Sequence, residues 1–207
     1  MQRTDDRTAL VLALVPLGIA LNLALGTFVS IVKIPIYVDA VGTIIVSILL
    51  GPWAGVVTGV GSFLLGGALT NPVLPWFSGT QAVIALYAAF AARRGWFGST
   101  PRTIASGIGL GIIAGVVSAP VIAYLFGGIT GSGASLVVAY LLASGRNLLQ
   151  SVVLSGLASE PIDKTVQCLL AIWLLRGLPA TLLRRFDVAV LEKNSLGVQN
   201  GSIKSAV

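Results

Sequence analysis

Residues 147–164 read NLLQSVVLSGLASEPIDK, an apolar stretch that ends in ionisable side chains. Glu160, Asp163 and Lys164 stand where one apolar run gives way to the next, which begins at Thr165. Ionisable groups are costly inside a bilayer, and where they occur they usually belong to a functional site. The stretch therefore predicts a buried polar site at the start of a membrane helix.

The overall composition is that of an integral membrane protein. Of the 207 residues, 56% are hydrophobic and only 10% are charged, whereas a soluble domain averages about 25% charged residues. The sequence contains no histidine and a single cysteine, Cys168. We therefore predict no disulfide within the chain, and no metal or other cofactor of the zinc, haem or iron–sulfur kinds.

Six apolar runs have lengths near the roughly 20 residues that a bilayer span requires. We predict spans at about residues 8–32, 34–50, 53–70, 73–92, 103–126 and 161–183. A further apolar run, 136–157, carries Arg146, Asn147 and Gln150, and an arginine near mid-bilayer costs about 2.5–3.5 kcal/mol. We expect this run to form an extra helix on the outer face without crossing. Residues 1–186 would then be one membrane domain, followed by a polar, disordered cytoplasmic tail at 187–207.

The basic residues are distributed in a way that orients these spans. With both termini in the cytoplasm, ten of the 13 lysines and arginines lie inside: Arg3, Arg7, Arg93, Arg94, Arg102, Arg176, Arg184, Arg185, Lys193 and Lys204. Lys33, Arg146 and Lys164 remain outside. Cytoplasmic loops of membrane proteins carry such an excess. The net charge of +6 is thus explained by topology, and we expect a lipid bilayer and no nucleic acid as the partner of these charges.

The motifs of several enzyme classes are absent from the sequence. No GxxxxGK[ST] loop occurs, so ATP is not bound through a P-loop. Without histidine there is no Ser-His-Asp or Cys-His set. Glu160 and Asp163, three residues apart, would share a helix face, but we interpret Asp163 and Lys164 as residues that cap and charge the start of a helix. The prediction is that the chain is not an enzyme and has no catalytic residues.

Four features together resemble the substrate-binding S components of energy-coupling factor (ECF) transporters. One is the count of six spans with both ends inside. The others are KIPIYVD at 33–39, LGPWAGVVTG at 50–59 and PIDK at 161–164. The second of these is similar to the GPxxGxxxG segment that opens the third span of many S components. The resemblance covers about residues 8–186 and implies a six-transmembrane-helix bundle in the plasma membrane of a bacterial or archaeal cell.

The resemblance also implies a function and partners. S components bind vitamins or related small metabolites in an outward-facing pocket and dock on a transmembrane coupling subunit that two ATPase subunits drive. In that family, small residues at positions i and i+4 of the first helix contact the coupling subunit. Ala9 and Ala13 match this spacing, as do Ala20 and Ala24, and we take Ala9 and Ala13 as the docking residues. The chain would then be the substrate-specific subunit of an ATP-driven importer.

Polar and aromatic residues near the outer ends of the spans are the candidates for substrate binding, because ligand pockets combine apolar walls with a few placed polar groups. They are Asn22, Tyr37, Asp39, Asn71, Trp76, Gln81, Tyr124, Arg146, Asn147, Gln150, Glu160, Asp163 and Lys164. Trp76 and Tyr124 fit interfacial anchors equally well, and Asn71 fits a turn residue before Pro72.

A polar helix face is expected to cover the ligand. Arg146, Asn147 and Gln150 would share one face of the outer helix and close over a small, polar, partly aromatic metabolite near Trp76 or Tyr37. The ionisable residues expected around it balance, with Lys33, Arg146 and Lys164 against Asp39, Glu160 and Asp163. A net-neutral lining argues against a highly charged ligand such as a triphosphate.

Other function classes remain open at this point. A membrane sensor that binds a ligand without moving it fits the composition equally well, although the chain carries no appended signalling domain. A self-sufficient small transporter is a further alternative, which inverted repeats would favour, and none is evident in the sequence. Copurification with ATPase and coupling subunits distinguishes the S component from both.

The charge distribution makes a testable prediction about topology. Single cysteines placed at Ser132 and at Ser202 should react with a membrane-impermeant thiol reagent from opposite sides, Ser132 from outside and Ser202 from the cytoplasm, because the positively charged ends stay inside. Labelling of both positions from the same side would contradict the predicted arrangement.

Overall fold

The computed structural model describes residues 2–32, 35–179, 183 and 186, and every regular element within these residues is helical. The α-helices are α1 (Gln2–Val32), α2 (Val41–Leu50), α3 (Pro52–Leu69), α4 (Ser78–Arg93), α5 (Thr100–Pro120), α6 (Ala134–Ala143) and α7 (Leu148–Arg176). A 3-10 turn, Leu74–Phe77, precedes α4, and a π-helical turn, Val121–Leu125, extends α5. The predicted all-α class is confirmed for this part of the chain. The predicted tail at 187–207 lies outside the described residues, as does Lys33.

In the part of the chain that the structure describes, four helical segments are long and apolar enough to cross a membrane: Thr8–Val32, Pro52–Leu69, Leu74–Arg93 and Thr100–Leu125. They coincide within a few residues with four of the predicted spans. The helices α2 and α6 have ten residues each, about 15 Å at 1.5 Å per residue, which is half of the roughly 30 Å hydrocarbon core. The fold is compatible with a multi-pass membrane protein.

The short helix α2 is the centre of the bundle. Eight of its ten residues are buried, and it packs against α1, α3, α4 and α7. Its Val41 and Ile44 have no exposed surface and belong to one apolar core with Ile84, Leu110 and Leu175. A helix that is apolar on all sides is expected in such a buried position.

The start of α2 corrects the predicted second span, 34–50. The helix begins at Val41, and residues 36–40 form a non-helical linker after α1. Pro35, just before this linker, has no N–H to donate to a helix. Side chains of α7 accept the hydrogen bonds of several linker N–H groups, as described below, so the linker needs no helix to satisfy its backbone.

The boundaries of the last two helices also differ from the prediction. The predicted outer helix 136–157 is interrupted: α6 ends at Ala143, Gly145 has a φ of 85°, and α7 starts at Leu148. The predicted break at Pro161 does not occur, since α7 continues through Pro161 to Arg176. Glycine adopts positive φ without strain and ends helices, whereas proline is tolerated within membrane helices when neighbours compensate for the lost hydrogen bond.

Backbone contact at glycine holds α5 against α7, which form the most extensive helix pair. A Cβ at Gly107 would overlap the backbone of Thr165, and one at Gly111 would overlap the backbone of Glu160 and Pro161. A similar contact joins α1 to α2, where a Cβ at Gly42 would overlap the backbone of Gly18. Small residues allow this close approach, and van der Waals packing then stabilises the helix pair.

The α5–α7 contact can be tested with one methyl group. Gly111→Ala should lower the free energy of unfolding by about 1–3 kcal/mol, the usual cost of overpacking, because the neighbouring atoms are backbone and cannot rotate away. Gly79→Ala is the matched control, since nothing lies within 4 Å of its added Cβ. Unfolding of the purified variants in detergent measures both. Equal stability of the two variants would show that α5 and α7 do not touch at Gly111.

Candidate ligand-binding site

A cavity of about 250 Å³ lies between α1, α3, α4, α5 and α7. The linker 36–40, the turn before α4 and the loop before α6 complete its wall. The polar residues that line it are Asn22, Thr27, Ser30, Tyr37, Asp39, Ser62, Thr70, Asn71, Thr80, Gln81, Ser118, Thr130, Ser132, Glu160 and Lys164. Apolar side chains such as Phe63, Leu74, Phe77 and Ile84 cover much of the remainder. An apolar cavity with convergent polar groups is the usual form of a small-molecule site.

The carboxylate of Asp163 holds the linker in place. Its Oδ1 accepts hydrogen bonds from the backbone N–H groups of Tyr37 (2.8 Å) and Val38 (2.9 Å). Its Oδ2 accepts from Gln167 Nε2 at 2.7 Å and from the Lys164 ammonium at 2.5 Å. The side chain has no exposed surface. A fully bonded carboxylate of this kind can remain buried, because each of its oxygens has charge-assisted partners.

The backbone of the linker is strained at one residue. Val38 has a φ of 50°, a conformation that β-branched residues rarely adopt. Ala40, two residues on, donates its backbone N–H to Gln167 Oε1 at 2.8 Å. Asp163 and Gln167 therefore accept hydrogen bonds from the strained residue itself and from residues on both sides of it. Strain of this kind persists where the surroundings over-determine the backbone, often at ligand sites.

Lys164 stands among three carboxylates. Its Nζ donates to Asp163, and it lies 3.5 Å from Glu160 Oε2 and 3.7 Å from Asp39 Oδ1. It also lies 5.7 Å from the centre of the Tyr37 ring. The lysine itself is 3% exposed. A buried ammonium is tolerated when it is paired in this way.

The two linker side chains that face Lys164 line the cavity wall. Tyr37 contributes a phenol, which can both donate and accept a hydrogen bond, and Asp39 contributes a carboxyl group.

Asn22 of α1 is the centre of a second hydrogen-bond network in the cavity wall. Its Nδ2 donates to Thr43 Oγ1 (2.8 Å) and to Ser62 Oγ (3.0 Å), and its Oδ1 accepts from the backbone N–H of Gly42 at 2.7 Å. Thr43 Oγ1 in turn donates to Gln81 Oε1 at 3.2 Å. Asn22 thereby satisfies a free N–H at the start of α2, a group that every helix leaves without an intrahelical partner. The network joins α1, α2, α3 and α4 beside the cavity.

The predicted site residues fall into two groups in the structure. The cavity is lined by Asn22, Tyr37, Asp39, Asn71, Gln81, Glu160 and Lys164. Asp163 is buried directly behind the linker and bonds to it. Asn71 lines the cavity, and its Oδ1 also accepts from the backbone N–H of Val73 in a turn.

The other predicted residues lie away from the cavity. Trp76 is 59% exposed and Tyr124 77% exposed, and neither is part of the lining. Arg146, Asn147 and Gln150 are exposed around the start of α7, where Asn147 Oδ1 accepts from the Gln150 N–H at 2.9 Å and caps the helix. Their predicted part in binding stays a prediction without a contact to support it.

Several lining residues were missing from the sequence prediction. Among them are hydroxyl and small side chains and two aromatic rings: Gly26, Ser62, Phe63, Phe77, Thr80, Ser118, Thr130 and Ser132. Gly26 lies one helical turn after Asn22, so the helix period could have pointed to it. Phe77 is the neighbour of the predicted Trp76 and stacks on Phe126 with ring centres 6.0 Å apart.

The charge of the described lining differs from the predicted balance. Arg146 is exposed and outside the cavity, and Lys33 lies outside the described residues. Among the lining residues that the structure describes, Lys164 is the sole basic side chain. Asp39 and Glu160 line the same cavity, and Asp163 is adjacent. The described part of the site is therefore acidic.

Comparison with known proteins gives no match: no protein-family model fits the chain, and neither a curated protein nor a solved structure is significantly similar to it.

The anchoring role of Asp163 can be measured. Asp163→Ala should lower the free energy of unfolding by about 3–5 kcal/mol, because it removes one partner of a buried ion pair and leaves the linker N–H groups unbonded. Ser144→Ala, an exposed position, is the control for the assay. Thermal unfolding of the purified protein in detergent reports both. An unfolding temperature unchanged by Asp163→Ala would mean that the linker is held by something else.

Proposed function

We propose that this chain is the substrate-binding subunit of an ECF-type importer, which binds a small metabolite of the vitamin or vitamin-precursor class and delivers it inward. The observation that carries the proposal is the cavity of about 250 Å³ inside a bundle of apolar helices, with polar side chains from five helices and the linker converging on it. The volume and the mixed lining suit a molecule of that size. The absence of an ATP-binding motif in the sequence agrees with a subunit that relies on separate ATPases.

The segments that resemble S components contribute to this cavity. The segment 33–39 supplies Tyr37 and Asp39 to its wall, and the segment 161–164 supplies Lys164. Next to Lys164, Asp163 ties the two segments together through hydrogen bonds. The resemblance and the geometry thus meet at one place, which supports the proposal more than either does alone.

The proposal includes six membrane crossings with both termini in the cytoplasm. Four helical segments have the length and hydropathy for a span. With 29 residues, α7 is about 43 Å long at 1.5 Å per residue, enough for a fifth. The linker and α2 together would form the second crossing, buried by the helices around it so that its non-helical backbone does not face lipid.

The proposed docking surface for the coupling subunit is the part of α1 that carries Ala9 and Ala13. Both residues are exposed and lie one helical turn apart. The span Thr8–Val32 is the least buried of the four, with 17% of its residues buried against 33–39% in the others. A partner helix packed on α1 could approach closely at these alanines.

A copurification experiment tests this role. The tagged chain, co-expressed with the coupling subunit and two ATPase subunits of an ECF transporter from the same organism, should purify as a complex with all of them. A chain that purifies alone yet still accumulates a metabolite in cells would instead be a self-sufficient transporter. A chain that binds a metabolite without complex or uptake would be a sensor.

The docking surface makes a separate prediction. Ala13→Trp should abolish recovery of the coupling subunit and lower uptake by at least about tenfold, a loss of roughly 1.4 kcal/mol or more in docking, while the isolated subunit keeps its ligand affinity. Ala105→Trp is the matched control, because Ala105 is an exposed alanine on another apolar helix, α5. Equal effects of both variants would contradict a specific docking role for Ala13.

A further inference from the structure

Two carboxylates at the cavity each have one oxygen without a hydrogen-bond partner among the described residues. Asp39 Oδ1 and Glu160 Oε2 are buried and accept no hydrogen bond from any residue that the structure describes. Glu160 is 6% exposed. Buried polar atoms are nearly always bonded, and an exception calls for an explanation such as a ligand.

The nearby lysine does not fulfil this role. Lys164 donates its short hydrogen bond to Asp163 and remains 3.5 Å from Glu160 Oε2 and 3.7 Å from Asp39 Oδ1. Asp163 also accepts hydrogen bonds from the linker N–H groups and from Gln167. One positive charge therefore stands against three carboxyl groups, which leaves a formal charge of −2 when all four are ionised.

The positive charge that would balance these carboxyl groups is better supplied by an organic cation than by a metal ion. No group of three or more histidine, cysteine, aspartate or glutamate side chains in the described residues has an arrangement that could hold a metal. The cavity is also much larger than an ion, and its wall includes the rings of Tyr37, Phe63 and Phe77. The face of an aromatic ring attracts organic cations, and it also stacks on other flat rings.

We propose that the cavity binds a small organic cation, with a flat or aromatic body against the apolar wall and a protonated amine or similar N–H group between Asp39 and Glu160. The N–H group donates to Asp39 Oδ1 and Glu160 Oε2 in charge-assisted hydrogen bonds. Among the described residues these two oxygens accept no hydrogen bond and have only the longer ion pairs with Lys164. This ligand class deepens the proposed binding function and rests on it. Neutral molecules would leave the excess negative charge in place, and anions would increase it.

Matched probes that differ in one functional group test the charge preference. Phenethylamine, 2-phenylethanol and phenylacetate share one ring, and tryptamine, tryptophol and indole-3-acetate share a larger one. Each is added to the purified full-length chain in detergent, and the unfolding temperature is measured. The amine of at least one set should stabilise the protein, while its alcohol and its acid should not. Stabilisation by an alcohol or acid that equals or exceeds that of the amine, or no stabilisation by either amine, overturns the inference.

Variants then place the bound amine. Glu160→Gln and Asp39→Asn each keep the side-chain volume but remove a charge, and each should weaken binding of the stabilising amine by about tenfold or more. Arg176→Gln, at the C-terminal end of α7, is the control. It also removes one charge, and it should leave the affinity for the amine within about twofold. Each variant is checked for monodispersity in the same detergent. Full affinity in both carboxylate variants would overturn the placement.

The result is separable from the importer proposal. Amine binding that depends on Glu160 without recovery of coupling and ATPase subunits would support the ligand class and contradict the importer role. Recovery of those subunits together with a preference for the acids would support the importer role and contradict the proposed ligand class.

Discussion

The carboxylate of Asp163 is the interaction on which the cavity depends. It is one side chain of α7, yet it bonds the backbone of two linker residues, one glutamine and one lysine. A non-Gly residue with positive φ, here Val38, costs of the order of 1–3 kcal/mol. Hydrogen bonds to a charged group contribute about 1.5–3 kcal/mol each. The two bonds from the linker to Asp163 are therefore sufficient to hold the strained segment, and with it Tyr37 and Asp39, at the cavity wall.

Much of the fold could be predicted from run length and hydropathy. The spans that became α1, α3, α4 and α5 were predictable because a helix in lipid satisfies its own backbone, so its limits follow from where the apolar residues stop. The start of α2 was not predictable in this way. Residues 36–40 are apolar enough to continue a helix, but bonds from Asp163 and Gln167, more than a hundred positions away, satisfy the linker instead.

The boundaries of the last two helices were likewise not predictable from run length and hydropathy. The sequence contains both Gly145 and Pro161 as candidates for a helix break. Local preference favours Pro161, but the chain breaks near Gly145, and α5 packs directly on the backbone of α7 around Pro161. That choice decides where Arg146, Asn147 and Gln150 lie, because a break before Leu148 puts them at an exposed helix start.

Within the cavity, the predictable residues were those whose burial is costly. Asn22, Gln81, Glu160 and Lys164 stand out in apolar runs, since an amide or charge there needs partners. Serine and threonine gave no such signal. Ser118, for example, donates its hydroxyl to the carbonyl of Gly115 in its own helix, so it can be buried on a helix without a partner from another element.

The glycine contacts have a mechanical consequence. Backbone-to-backbone packing at Gly18 and Gly42 makes α1 and α2 a stiff pair, and Gly107 and Gly111 do the same for α5 and α7. Interiors packed this closely resist compression and transmit displacement instead of absorbing it. The cavity has walls from both pairs. Its width therefore depends in part on the relative position of these two stiff pairs, and a small shift of one pair against the other would change it.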